Sequence, residues 1–302
     1  MTTDLSAAEV ELDRHVWDTP DVPEAVRLLL AADNEDDLLL ARSELADGGS
    51  AAELASVWCA ALTDPLHPLA RRAVLELLSR TVSDQPRAQA TAREAIWPLY
   101  AELFAGSDDA GRVLDAIEPD RDRYHHLRAK AGQTTLPLAE LERHDWTQLK
   151  ACATNASRVP AAVHQLLAGN VDDADDELED YLIVQGNVMP AGVSLVPVIA
   201  AALTVQESAP PRWPTINLLL QLMTIDLDAR HIEPGSVEDR ARAAAREAIW
   251  LLYGDLCHGE SEWADDILTV IDPDRERYRF FRARAESAGR ELSALAAKRL
   301  GS

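Results

Sequence analysis

Apolar side chains return at helical spacing along most of this chain. In residues 22–32, Val22, Val26 and Leu29 recur at intervals of three or four positions, which places them on one face of a helix, and Pro23 suits its first turn. No segment shows the period-two alternation of a half-buried strand. The same pattern predicts helices over residues 22–32, 38–45, 51–62, 66–78, 87–104, 120–130, 158–168, 172–184, 190–203, 213–222, 237–256, 263–271, 274–288 and 291–300.

Two motifs occur twice. Ala-Arg-Glu-Ala-Ile-Trp fills residues 92–97 and returns at residues 245–250. Pro-Asp-Arg-x-Arg-Tyr fills residues 119–124 and returns at residues 273–278. Self-similarity over such a distance is typical of stacked supersecondary units.

Short helices joined by brief turns are typical of antiparallel helix pairs stacked side by side. We therefore predict an all-α fold, an α-solenoid of stacked antiparallel helix pairs. Its two similar halves would cover residues 1–143 and 144–302 in one continuous array. Such arrays present extended binding surfaces, so the repeat favours binding over catalysis without naming the partner.

A series of motifs crosses residues 145–205: Asp145-Trp146, Val159-Pro160-Ala161-Ala162-Val163, Gln185-Gly186-Asn187-Val188-Met189-Pro190-Ala191 and Val196-Pro197-Val198-Ile199. This series resembles the HEAT-repeat proteins of the actinobacterial type, and the likeness is weaker over residues 20–80. The resemblance implies a helical scaffold that binds other proteins. A minority of HEAT-repeat proteins are enzymes or DNA-binding glycosylases. The Arg-Glu-Ala-Ile-Trp motif lies outside it.

The net charge of the chain favours some classes of partner over others. The chain carries 52 acidic and 29 basic side chains, a formal net charge of -23. This field repels nucleic acid and anionic lipid and attracts basic proteins. Acidity can also serve solubility alone. A hydrophobic fraction of 47% is enough to form a large core, which argues against disorder.

The cysteines and the N-terminus favour a cytoplasmic location. Cys59, Cys152 and Cys257 show no Cys-x-x-Cys spacing, as expected of buried thiols in a reducing compartment. No signal peptide is visible.

Residues 181–206 carry no charge and have the length of a membrane span. Gly186, Pro190 and Pro197 interrupt them, so a buried helix is favoured over a membrane contact.

The first repeated motif allows two interpretations. On a single helix, Arg93, Trp97 and Tyr100 share one side, and an aromatic and cationic stripe can be a binding hot spot. A motif kept in both halves is explained more simply by packing between layers. The aromatic residues predicted to be structural are Trp97, Tyr100, Tyr124, Trp250, Tyr253 and Tyr278.

The second motif predicts a helix start. Asp272 and Pro273 supply a cap and a first-turn proline, and Asp274 complements the helix dipole. The arginines could clamp a carboxylate or a phosphate, but the two copies favour ion pairs between repeats.

The acidic run at residues 172–180 has no counterpart in the first half. Seven of its nine residues are carboxylates, and it lacks the glycine and ligand spacing of a calcium loop. It is either a solvated face or a contact patch for a basic protein. The residues predicted to touch the partner are Asp172, Asp173, Asp175, Asp176, Glu177 and Asp180.

Catalytic and metal-binding motifs are missing from the sequence, including HExxH, GxSxG and Walker loops. His125 and His126 diverge by about 100° on a helix, so they cannot share a metal. We expect no catalytic residue, no metal and no cofactor.

Two classes of function remain. The first is a non-enzymatic protein–protein interaction module. Its concrete version is an immunity or antitoxin-like protein that neutralises a basic partner. A regulatory partner protein would have the same sequence features. The second is a HEAT-like DNA-repair glycosylase conferring self-resistance, which needs a basic groove, a tryptophan-rich base pocket and a catalytic aspartate. Seven tryptophans are present, but the basic residues are few.

Overall fold

The computed structural model describes residues 5–17, 21–45, 51–83, 85–152, 154–205, 212–224, 232–258 and 261–300. Within these ranges the protein is all-α, with one two-stranded hairpin, which confirms the helical class. The helices are α1 Ala7–Arg14, α2 Asp21–Ala31, α3 Glu35–Leu45, α4 Ala51–Ala61, α5 Pro68–Val82, α6 Pro86–Arg93, α7 Ile96–Phe104, α8 Asp108–Ile117, α9 Arg121–Lys130, α10 Leu136–Glu142, α11 Val159–Leu167, α12 Val171–Leu182, α13 Pro190–Leu203, α14 Arg212–Thr224, α15 Val237–Arg246, α16 Ile249–His258, α17 Ser261–Ile271, α18 Arg275–Ser287 and α19 Ala294–Leu300.

Two of the predicted helices are each divided. The pattern predicts one helix over residues 87–104, but Glu94 and Ala95 separate α6 from α7. Ala95 has φ -111° and ψ 23°, outside the α region, so the helix axis turns there. The same break at residues 247–248 separates α15 from α16.

The prediction that the chain contains no strand is wrong. Strands β1 Ile183–Val184 and β2 Asn187–Val188 pair antiparallel. Gln185 and Gly186 join them with φ of 49° and 79°, and positive φ at both central residues is what a tight type I′ hairpin requires. Strands of two residues are too short to display an alternating pattern, and α12 accordingly ends at Leu182.

Helices α1 and α10 lie where the apolar pattern predicts none, and they have only 8 and 7 residues. Residues 106–109 offer a helix stop followed by a new cap, and α8 begins there. Helix α8 begins behind a cap: the Ser107 hydroxyl accepts from the Ala110 amide at 3.2 Å. Such local capping stabilises a short helix.

One hydrophobic core runs through the described chain and takes in helices from both ends. Helix α13 is enclosed on every side, because residues 195–201 are all buried. This confirms the buried helix expected within residues 181–206. No described helix combines the length and the apolarity that crossing a membrane requires.

The two ends of the described chain meet. Helix α1 packs on α4, α16 and α18. Arg14 Nη1 lies 3.6 Å from Asp274 Oδ2, and Arg284 Nη2 donates to Asp13 Oδ2 at 2.8 Å. Repeats that touch only their neighbours keep the ends of an open array apart, so the contact between α1 and α18 departs from that pattern.

Candidate functional site

The Pro-Asp-Arg-x-Arg-Tyr motif starts α9 and α18 in the same way. The Asp120 carboxylate accepts the Arg123 amide at 2.9 Å, and the Asp274 carboxylate accepts the Arg277 amide at 2.9 Å. Each aspartate satisfies an orphan amide and complements the helix dipole. The expectation that Asp272 is the cap is therefore wrong, since Asp274 fills that position.

A buried carboxylate holds the arginine behind the first cap. Glu118 accepts Nε and Nη2 of Arg123 at 2.8 Å and 2.9 Å, and it accepts the Tyr100 hydroxyl at 2.9 Å. Burial, reinforced by the charge of Glu118, raises the pKa of Tyr100, so its hydroxyl remains a donor. Tyr100, Glu118 and Arg123 are named the first cluster here.

The second cluster consists of Tyr253, Asp272 and Arg277. Asp272 accepts Nε and Nη2 of Arg277 at 3.0 Å and 2.9 Å, and it accepts the Tyr253 hydroxyl. The Arg277 guanidinium also lies 5.1 Å from the centre of the Trp250 ring, a cation–π geometry. In both clusters the donors are bound within the fold, so neither offers a free reacting group.

Each cluster reaches across to the helix break of the other copy. Arg123 Nη1 donates to Glu247 at 2.7 Å, and Arg277 Nη1 donates to Glu94 at 2.6 Å. The predicted ion pairs between the two copies are confirmed. Burial raises the pKa of the Glu94 and Glu247 carboxyls, and the facing arginine charge offsets this only in part.

The repeated aromatic residues lie in the core. The stripe expected from Arg93, Trp97 and Tyr100 does not form, because the break places Arg93 on α6, where its Nε donates to the Ile117 carbonyl at 2.8 Å. At most 1% of the surface of any of the six predicted structural aromatics is exposed: Trp97, Tyr100, Tyr124, Trp250, Tyr253 and Tyr278.

A third repeated motif, Glu-Leu-x-Arg-His-x-Trp, is not among the motifs that the sequence analysis used. It fills residues 11–17 and 140–146 and ends α1 and α10. The Glu11 carboxylate is 0% exposed and accepts Nε and Nη2 of Arg14 at 2.8 Å and 2.7 Å, while His15 Nε2 lies 3.0 Å from it. The two copies lie 129 residues apart, against 153 for the Arg-Glu-Ala-Ile-Trp motif. A comparison of the chain with itself at the shorter offset would have found the motif.

The second copy of this motif reproduces the same contacts. Arg143 Nε and Nη2 donate to Glu140 at 3.0 Å and 2.7 Å, and His144 Nε2 lies 3.2 Å from it. Arg143 Nη1 also lies 3.4 Å from Asp120, the cap of α9, just as Arg14 lies beside Asp274. Helix α10 therefore sits on α9 as α1 sits on α18.

The carboxylates of this motif are stabilised as anions. Burial acts to raise the pKa of Glu11, but hydrogen bonds from His15 and Arg14 and the charge of Arg14 outweigh it and lower that pKa to about 2. The pKa of Glu140 is lowered by the same balance of burial against His144 and Arg143.

The acidic run forms the outer face of α12. Ala174, Leu178 and Leu182 are buried at four-residue spacing, while Asp176, Glu179 and Asp180 are exposed and Glu177 is half-buried. No ion pair reaches Asp176, Glu177 or Asp180 from any described residue. The side chains of Asp172, Asp173 and Asp175 lie outside the described residues.

Among the described residues, no three His, Cys, Asp or Glu side chains are grouped so that they could hold a metal. Trp58, Trp97 and Trp250 are at most 1% exposed, so these three offer no face on which a nucleobase could stack, whereas Trp213 is 43% exposed.

Comparisons with protein-family models, with curated proteins and with solved structures find no match to this chain. The geometry of its own residues therefore carries the functional argument.

Proposed function

We propose that this protein is a non-enzymatic interaction module that binds a basic partner protein through the exposed acidic face of α12. The observation that carries the proposal is the row of carboxylates at Asp176, Glu177 and Asp180, which no described cation neutralises. Like charges at this spacing repel one another, and a basic partner would remove that repulsion while gaining from long-range steering.

The use of arginine elsewhere supports the same proposal. Arg123, Arg143 and Arg277 are bound to carboxylates within the fold, and Arg93 and Arg246 to backbone carbonyls. These arginines therefore bind acceptors of their own chain, and acidic side chains outnumber basic ones in the sequence as a whole. This distribution does not favour the DNA glycosylase alternative, which needs a basic groove.

We further infer that the scaffold consists of two similar halves built from HEAT-like antiparallel helix pairs. Pairs such as α2 with α3, α4 with α5, α11 with α12 and α16 with α17 pack against each other. The three repeated motifs make equivalent contacts, and the cross-pairs Arg123–Glu247 and Arg277–Glu94 are reciprocal, as in an isologous interface. With α1 on α18, the two halves would close on each other.

An immunity or antitoxin-like role in the cytoplasm is the concrete form of the proposal. A basic nuclease-type toxin would be attracted by the negative field and occluded by the bound scaffold. The net charge of -23 supports the steering step; the identity of the partner stays a prediction.

The test is capture of partners from cell lysate by the immobilised chain. Capture is compared at about 0.1 M and about 1 M salt, where the Debye length is about 10 Å and about 3 Å. We expect basic proteins that are retained at low salt and released at high salt. Partners that are acidic, or that survive high salt unchanged, would contradict the proposal.

A matched pair of variants locates the binding face. Asp176→Asn/Glu177→Gln/Asp180→Asn should lose the captured protein. The control Asp122→Asn/Glu276→Gln/Glu286→Gln makes the same change of net charge at exposed positions on α9 and α18 and should retain it. Equal loss by both variants would mean that overall charge, and not the α12 face, holds the partner.

A further inference from the structure

A large cleft lies where the two predicted halves face each other. Its volume is about 1220 Å³, above the roughly 300–1,000 Å³ of ordinary ligand pockets. Its walls come in three matching pairs: the ends of α4 and α13, the starts of α5 and α14, and helices α7 and α16. Helices α10 and α11 line one side.

The arginine and carboxylate side chains of this cleft are paired with one another, and two histidines also line it: His164, and His258, whose Nε2 lies 3.7 Å from Asp64 Oδ1. On one wall Arg71 Nη1 donates to Glu102 at 2.6 Å, and on the other Arg212 donates to Asp255 through Nε at 2.6 Å and Nη2 at 3.0 Å. The two pairs cancel in charge. A charged ligand would lose its hydration without meeting an unpaired counter-ion, so the cleft suits a neutral ligand.

Most of the remaining wall is apolar. Leu62, Leu66, Pro98, Leu138 and Leu251 are among the lining residues. Burial of apolar ligand surface against such side chains stabilises a complex.

Each arginine of the cleft has N–H donors that no described residue accepts. Arg71 makes three hydrogen bonds, to Glu102 and to the carbonyls of Leu62 and Asp64, out of the five N–H donors that a guanidinium offers. Arg212 likewise makes three, to Asp255 and the Leu203 carbonyl. A carbonyl or ether oxygen on the ligand could accept from the donors that are left.

At one end of the cleft α16 approaches α4 so tightly that a Cβ on Gly254 would lie 3.0 Å from the Thr63 side chain. At the other end a second cavity of about 510 Å³ continues the cleft between α7 and α10 and shares Ala101, Thr135 and Thr204 with it. The residues that the two cavities share are called the mouth of the cleft here.

We propose that the cleft between α7, α10 and α16 binds a neutral, mostly apolar small molecule carrying one or two hydrogen-bond-accepting oxygens. The site is separate from the acidic face of α12, so each can fail without the other. Ligand binding would link the two predicted halves, because both contribute walls.

The test uses two fluorescent probes with the same ring system. N-phenyl-1-naphthylamine is neutral, and 1-anilinonaphthalene-8-sulfonate adds one negative charge. We expect saturable binding of the neutral probe to the full chain and at least about tenfold weaker binding of the sulfonate, a factor that corresponds to about 1.4 kcal/mol. Absence of saturable neutral-probe binding, or equal affinity for both probes, would overturn the proposal.

Variants at the mouth assign the site. Ala101→Trp on α7 and Thr135→Trp at the start of α10 should each weaken neutral-probe binding by about tenfold or more. Ala283→Trp places the same side chain at an exposed position of α18 and should bind as the parent does. Thr135 makes no side-chain cap bond, so the second variant keeps the test valid if Ala101→Trp fails to fold. Parent-like binding by a folded mouth variant would overturn the assignment.

Discussion

The guanidinium of Arg277 donates to the carboxylate of Glu94 at 2.6 Å, across 183 residues of sequence. Its counterpart Arg123 makes the reverse contact with Glu247 at 2.7 Å. The helix breaks that interrupt the Arg-Glu-Ala-Ile-Trp motif thus place a carboxylate where the other copy presents an arginine. Each copy of the Arg-Glu-Ala-Ile-Trp motif therefore supplies the carboxylate that the arginine of the other half of the contact binds.

The two sides of this contact should differ in their effect on stability. Arg277→Met leaves the buried Asp272 carboxylate without its bidentate partner, which should cost about 3–5 kcal/mol. Glu94→Gln removes a carboxylate whose pKa burial has already raised, so its loss should cost less than about 1 kcal/mol. Urea unfolding of the two variants measures both values, and equal losses would refute this division of roles.

Glu11 should make the stability of the fold depend on acid pH. Its pKa falls from 4.5 to about 2 on folding, so its contribution is present above the unfolded value and is lost as pH falls from about 4.5 to about 2. A shift of this size corresponds to about 3 kcal/mol. The free energies of unfolding of the parent and Glu11→Gln, measured at several pH values, should therefore converge toward pH 2.

Other carboxyls do not disturb that comparison. Glu94 and Glu247 have raised pKa values, and their effect on stability with pH has the opposite sign. Because they are present in both proteins, they cancel in the difference. A gap that stays constant between pH 5 and pH 2 would show that the Glu11 anion is not stabilised by the fold.

Two glycines in helices should respond oppositely to the same substitution. A Cβ on Gly254 of α16 would lie 3.0 Å from Thr63, whereas one on Gly111 of α8 would lie 3.5 Å from Leu103, an ordinary contact. Gly254→Ala should destabilise by about 1–3 kcal/mol through overpacking. Gly111→Ala should stabilise by about 0.5–1 kcal/mol, since it lowers the entropy of the unfolded chain. Thermal unfolding measures the effect of each substitution. A stabilising Gly254→Ala would mean that α16 and the Thr63 side chain are not tightly packed beside the cleft.

Repulsion between the carboxylates on the acidic face of α12 should weaken the fold. Asp176 and Asp180 stand one turn apart on α12 and are both exposed. Asp176→Asn/Asp180→Asn should stabilise the protein at low salt by about 0.2–0.5 kcal/mol, the usual size of such a repulsion. The gain should vanish at about 1 M salt, where the Debye length is about 3 Å. A gain that does not depend on salt would point to a cause other than charge.

The helical class and the buried aromatics follow from the sequence. Apolar spacing is a strong signal in segments such as α2, and a motif such as the one around Trp97 and Trp250 needs only a comparison of the chain with itself. The division between α6 and α7 does not follow from local pattern, because both Glu94 and Ala95 are acceptable inside a helix. At the break Glu94 accepts from Arg277, which lies 183 residues away in sequence.

The cleft is also beyond the reach of local pattern. Arg71 and Glu102 belong to different helices 31 residues apart, and neither lies in a motif that suggests a site. Their pairing, and the matching pair Arg212–Asp255, becomes visible only when α5, α7, α14 and α16 are placed together. The cap assignment fails for a smaller reason: Asp272 and Asp274 are both plausible caps, and burial of Asp272 with Arg277 decides between them.

Helix α1 packs on α18, and small-angle X-ray scattering of the full chain tests most directly whether the two ends meet. A compact chain of 302 residues has a radius of gyration of about 19 Å. We predict a value close to this, with a single-peaked distance distribution. A clearly larger radius with the long distance tail of an extended superhelix would contradict the closure of the two ends.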